Sequence, residues 1–506
     1  MLQKADHSWT IFEAAHLLNR AGFGGGPSEI KTFHSLGREK AVDSLVTPLE
    51  ALDSFPILPW TNAERVQADR RNYTEQRNVM HEAMRELTPP DAQEMKRQFV
   101  KKFQKENRLR SLQAQEWWFK RMLTTQAPLR EKMTLFWHDH FATSSQKVKQ
   151  PVLMVRQNEL FRRCAFGSFR DLTQAILLDP AMSLYLDAQG SKKEMPNENF
   201  PRELMELFTL GEGHYTEQDI REAARAFTGY QLSAIKGQVT FRPRQWDSSD
   251  KTIFGKTAPF TGKEVVDLIF TQKQAARLMA QKLWEFFVTE NPAATIVESL
   301  TTSLQQHDFQ VGPLLREIFL SKEFYAENSI RSQIKAPVQF LLTLLKQLEI
   351  TDPPAGFAIT AGHQLGQVLF APPNVAGWDW GQAWINTNTL LTRYNLAGFL
   401  TNGAGNIRQK LTKEQRKNPA MDRILDEKNQ VWTGPNYEEI APRALRENPT
   451  ELVDLLIFRF FQAPVTPKAR ESFIEYAKSK KGVIFTNKEI AELCHLMLST
   501  PYYQLT

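Results

Sequence analysis

Residues 197–229 read NENFPRELMELFTLGEGHYTEQDIREAARAFTG, and they divide into two helices with a short loop between them. In the first, Leu204, Leu207 and Phe208 recur at three- and four-residue spacing and make one apolar face. Arg202, Glu206 and Thr209 fall on the opposite side, and Glu203 lies one turn from Glu206. Pro201 suits the first turn, Asn199 can cap it and Gly211 can end it. The second helix opens on Thr216 and Asp219, a variant of the capping box. Its buried stripe is Ile220, Ala223, Ala224 and Phe227, while Arg221 and Arg225 share the other face near Glu217.

The same stretch carries candidate chemistry. Glycosidase carboxylates flank the scissile bond from opposite sides, about 5 to 9 Å apart, which two carboxylates one turn apart on one helix cannot do. Glu203 and Glu206 can instead hold a divalent cation, or one can act as general base while the other pairs with Arg202, Arg221 or Arg225. Equally open is an arginine–glutamate network that locks the two helices together. His214 lies in the loop beside these carboxylates and is the better general-base candidate among the histidines.

Working outward, helical periodicity continues over 150–190, 263–290, 293–328 and 331–350, and the polar stretch 60–125 reads as long helices. Strand signals are few, the best being a short hairpin over 231–242 with its turn at Lys236-Gly237. Segments 246–260, 371–388 and 402–435 read as irregular. The expectation is a mostly α fold with a few short strands or one hairpin, built on one continuous core. A helical region over 1–130 precedes a central motif-bearing part over 131–400. An irregular surface insertion over 401–436 and a helical cap over 437–506 follow.

Bulk properties narrow the classes. No apolar run is long enough to span a membrane. The N-terminus lacks the apolar stretch of a leader, so the chain is expected to be cytoplasmic, or periplasmic or secreted after a leader has been removed. Two cysteines, Cys164 and Cys494, make neither a disulfide framework nor a thiolate zinc site. A net charge of +6 over 506 residues allows an acidic partner without implying nucleic acid. The densest basic stretch, KRQFVKKFQKENRLR over 96–110, is either a solvated helix face or a polyanion-binding one.

Three further motifs bear on function. In MTLFWHDHFA, 133–142, helical spacing puts His140 on the apolar stripe and His138 nearly opposite, at the surface or an interface. A shared metal is therefore not expected unless the helix ends before His140. In FAPPNVAGWDWGQAWINTNTLLTR, 370–393, Trp378, Trp380 and Trp384 alternate with Asp379, Asn386 and Asn388. Aromatic faces among amides and carboxylates suit sugar rings, and the alternative is a tryptophan plug in the core. The glycine turn over 22–26 lacks the Lys-Ser/Thr of a phosphate loop and follows a helix.

These blocks, with HLLNRAGFG (16–24), KAPVQF (335–340) and the closing LSTPYYQ, come in the order seen in the bacterial family called domain of unknown function 1800. The chain resembles that family over nearly its whole length. It departs where the family shows a His-Asp pair followed by Lys and Gly: here stand Trp246, Asp247, Lys251 and Gly255. The resemblance implies a neighbouring partner similar to phosphatases and sulfatases, and an acidic substrate. The leading expectation is a carbohydrate- or polyanion-acting protein of the bacterial envelope. In it Trp378, Trp380, Trp384, Asn386, Asn388, Arg393 and Arg225 bind a glycan or acidic polysaccharide. Glu203, Glu206, Arg202 and His214 line the polar site, with His138, His140, Asp247 and Lys251 as additional members. The alternatives are a non-enzymatic helical scaffold that docks the phosphatase- or sulfatase-like partner, and a divalent-metal hydrolase.

Overall fold

The polar stretch after residue 60 forms an arm of two helices, Ala63–Ala83 and Pro89–Thr124, held side by side by Tyr73 packing on Phe99 and Phe103. Asn62 caps the first through the Glu64 N–H. Buried positions on the second begin only at Leu109, so its root enters the protein while its tip stands in solvent. The computed structural model describes residues 2–46, 55–233, 237–402, 434–480 and 484–506. The expected insertion over 401–436 lies largely outside the described residues.

The fold is mostly helical, as the periodicity predicts. The arm root packs with Pro337–Gln347, Phe357–Leu365, Pro449–Phe461 and Asn487–Leu498 in one core. A second core gathers Phe169–Leu177, the 197–229 pair, Gly262–Ile269, Lys273–Phe287 and Val311–Leu320. The single continuous core expected from sequence is thus divided into two large ones, beside a small third of Ala14, Ala15, Leu18 and Ile30. The cause is helix Pro128–His140, buried without interruption from Glu131 to His138. It sends Leu135 into the first core and Met133, Phe136 and Trp137 into the second. A helix buried on every face is a wall between two interiors rather than a surface element.

Two small antiparallel hairpins complete the description. Tyr230–Ser233 pairs with Gln238–Phe241 in register Tyr230 to Phe241, close to the span read from sequence. Lys251–Ile253 pairs with Lys256–Ala258 inside the segment expected to be irregular. Its turn is Phe254-Gly255, both at positive φ (47° and 73°), the geometry that tightens a two-residue hairpin. Phenylalanine is a poor signal for such a turn, which hid it. Among the described residues no helix is long and apolar enough to cross a membrane.

Candidate functional site

The first helix of the 197–229 pair starts as expected but does not continue as an α-helix. Asn197, not Asn199, provides the side-chain cap, accepting from the Asn199 N–H at 2.8 Å. After Glu203 the backbone opens into a π-turn over Leu204–Thr209. The Leu210 N–H reaches back five residues to the Met205 carbonyl at 2.9 Å, and the Gly211 N–H goes to the same oxygen at 3.1 Å. In an α-helix the Gly211 N–H would serve Leu207, so the Leu207 carbonyl is released. The wider turn also rotates Thr209 inward: expected on the polar side, it is buried and donates to the Leu204 carbonyl at 2.5 Å.

Two side chains collect the released carbonyls. Lys282, on helix Lys273–Phe287, donates to the Leu207 oxygen at 3.1 Å. His140 meets the Phe208 oxygen through Nε2 at 2.9 Å. A carbonyl only accepts, so Nε2 carries the proton and the Nδ1 of the neutral ring faces the Lys282 ammonium at 3.4 Å. Burial, and then the Lys282 charge, hold His140 well below the usual histidine range. Burial brings Lys282 down to about 8 against the opposing charges of Asp139 and Glu285. Asp139, between the two histidines, is pushed up to about 7 by burial, although the Trp378 N–H donates to its Oδ1 at 2.7 Å.

Asp139 is also what pins the tryptophan loop. Gly377 sits at φ 94°, and a Cβ there would fall on the Asp139 carboxylate and carbonyl. Gly381, at φ 55°, lies in the same way against the Glu290 carboxylate. Around these glycines the tryptophans divide. Trp378 is 4 % and Trp384 6 % exposed, both in the first core, whereas Trp380 is 49 % exposed. Trp380 stands edge-on to Phe286 at 5.4 Å, and Phe286 packs on Phe136 at 5.1 Å. Phe286 lies one turn from Lys282, and Phe136 one turn from Asp139. Helices Pro128–His140 and Lys273–Phe287 therefore meet the loop at one junction, with Trp380 on its outer face.

The other residues of the loop region have local duties. Asn386 caps Thr387–Thr401 in a reciprocal pair with Thr389, and Asn388 is exposed on that helix. Arg393 is buried, donating to the Lys335 carbonyl at 2.8 Å and to Gln504 at 3.2 Å, and so ties the C-terminus to the centre. His138, expected at a surface or interface, is buried. Its ring sits against Trp118 (5.3 Å), Trp378 (5.5 Å), Phe370 (5.6 Å) and Phe161 (6.3 Å), and both ring nitrogens lack a hydrogen-bond partner. Burial lowers it to about 3. His138 and His140 look into different surroundings, and among the described residues no three His, Cys, Asp or Glu side chains are grouped to hold a metal ion.

The charged motif of the helix pair is knit into itself. Arg202 forks onto Glu217 at 2.8 and 2.9 Å and reaches Glu198 at 3.1 Å. Glu206 accepts from the Tyr215 hydroxyl at 2.7 Å, and Glu203 is raised by burial and by the Glu206 charge. His214 is exposed in the loop. Arg225 donates to Asp247 and to Glu222, each at 2.8 Å. Burial works to raise Asp247, but the bonds from Arg225 and Ser249 outweigh it and hold the carboxyl at about 2. Lys251 is buried over the Trp246 ring at 4.8 Å and donates to the Asp247 and Ser249 carbonyls at 2.5 and 2.8 Å. Among the described residues no hydrogen bond, ion pair or ring contact joins Glu203, Glu206, Arg202 or His214 to the tryptophan loop. The polar groups against the loop are the carboxylates of Asp139 and Glu290. Sequence reasoning passed over Asp139, although it stands between two histidines that drew attention.

No curated protein and no solved structure matches this chain. The family described as protein of unknown function (DUF1800) matches residues 16–505, and the chain belongs to that family.

Proposed function

We propose that the protein binds a glycan chain, with Trp380 as the surface on which a sugar ring stacks. One observation carries this reading: a tryptophan 49 % exposed on a loop that Asp139 holds by accepting from the Trp378 N–H and that packs on Phe286. A large aromatic left open on a rigid support offers an apolar face at little entropic cost, which is what the C–H face of a pyranose requires.

A second reading covers the helix pair. Arg202, Glu217, Arg225 and Asp247 are engaged in bonds within the chain, which favours a scaffold role for this motif. The test is intrinsic fluorescence titrated with neutral and sulfated oligosaccharides. Saturable quenching that is lost in Trp380→Ala and retained in Arg202→Met is the expected result. Quenching that survives Trp380→Ala, or no quenching with any oligosaccharide, overturns the glycan reading.

A further inference from the structure

The arm and the body enclose a groove of about 3480 Å3, well beyond the roughly 300–1,000 Å3 of small-molecule sites. Its lining joins both arm helices to helix Pro151–Arg163 and the turn before it, and includes no residue of the tryptophan loop. Ten lysine and arginine side chains face five carboxylates there.

The excess persists once existing pairs are removed. Asp69 is paired with Arg65 (3.0 Å) and Arg110 (2.8 Å), Glu106 with Arg110 (3.3 Å), and Glu159 with Arg121 (3.0 Å) and Arg162 (2.9 Å). Glu75 and Glu82 are left. On the arm, Arg71, Arg77, Lys102 and Arg108 form no ion pair among the described residues. The same holds for Lys149, Arg156 and Arg163 on the facing wall. Arg70 is held below its usual value by burial and by the like charge of Arg156, a sign that positive potential is concentrated where the walls approach.

The remaining lining indicates the kind of anion. Eleven asparagine and glutamine side chains line the groove, each able to donate to and accept from hydroxyls. Most of its aromatic rings are packed, Tyr73 alone being largely exposed, at 40 %. Tyr73, Phe99 and Phe103 pack on one another, Trp60 lies under Arg110, and Trp117 lies under Arg121 and Arg162. Single-stranded nucleic acids are held by successive open aromatic faces that stack on bases, whereas this groove offers one such ring, Tyr73, among its amides.

We infer that the groove between the arm and the body is a second binding site, for an extended anionic polysaccharide bearing sulfate or carboxylate groups. It takes charge and length, independently of the ring-stacking surface at Trp380.

The experiment is fluorescence anisotropy of labelled dextran sulfate and uncharged dextran of equal length, across a series of salt concentrations. Saturable binding of the sulfated chain with log Kd linear in log salt is expected, whereas any binding of uncharged dextran, at Trp380, is independent of salt. Arg108→Gln with Arg163→Gln changes two exposed side chains on opposite walls. This pair is expected to weaken binding roughly tenfold and to flatten the salt slope by about two. Lys149→Asn weakens it in the same direction, asparagine being tolerated at the left-handed φ of 54°. Lys31→Gln with Lys40→Gln removes the same charge from the surface outside the groove and leaves affinity unchanged. The inference fails if dextran sulfate does not bind, or if the Lys31/Lys40 control weakens binding as much as the groove variants. It fails also if single-stranded oligo-dT binds more tightly than dextran sulfate at equal charge.

Discussion

Gly377 shows how much of this protein rests on single residues. Its φ of 94° is open to glycine and strained for other residues, and the space a Cβ would need is held by Asp139. Gly377→Ala is expected to cost about 1–3 kcal/mol, read as a shift in urea midpoint, and to lower glycan affinity because Trp380 moves with the loop. Asp139 gives a pH signature. Its folded value of about 7 lies above the ordinary 3.8, so the folded state holds a proton that the unfolded chain gives up between those values. Stability from this group is therefore lost as pH rises from about 4 to about 7, and Asp139→Asn should flatten that part of the profile. His138 acts in the opposite direction. Its folded value of about 3 lies below 6.5, so its contribution is full above 6.5 and lost as pH falls towards 3. His138→Phe, which removes two unpartnered nitrogens from an aromatic cage, should make the protein less sensitive to acid.

At the scale of elements, the π-turn over Leu204–Thr209 is what joins the helix pair to the rest of the junction. It turns the Leu207 and Phe208 carbonyls outward, and Lys282 and His140 are the donors they find. Lys282→Met leaves the Leu207 oxygen and His140 Nδ1 without this donor. An expected destabilisation of about 1–3 kcal/mol should appear in equilibrium unfolding. Sequence periodicity located this helix, its partner and the Thr216–Asp219 capping box. It could not locate the π-turn, because an extra residue per turn leaves no compositional mark and only shifts which side chains are buried, Thr209 among them. The Phe254-Gly255 hairpin escaped for a related reason: its backbone geometry is imposed by the tertiary setting and not by favoured turn residues.

At the scale of the whole molecule, the helical class, the arm and the hairpin near 230 were legible, because each follows from local pattern. The tryptophan loop was legible as a motif, but its partners were not. Asp139, Phe286 and Glu290 come from distant parts of the chain, and only packing brings them to it. The division into two cores was hidden in Pro128–His140, whose burial on all faces erases the amphipathic signal. A helix shared so completely should couple the two cores. Calorimetry is expected to show one cooperative transition, with calorimetric and van't Hoff enthalpies in agreement, and two resolved transitions would contradict this.

The most direct test of the Trp380 assignment is isothermal titration of neutral oligosaccharides into the full chain and into Trp380→Ala. The account predicts binding by the parent and none by the variant, whose unfolding free energy should fall by less than about 1 kcal/mol because half of that side chain is already in water. Equal binding by both proteins would contradict it.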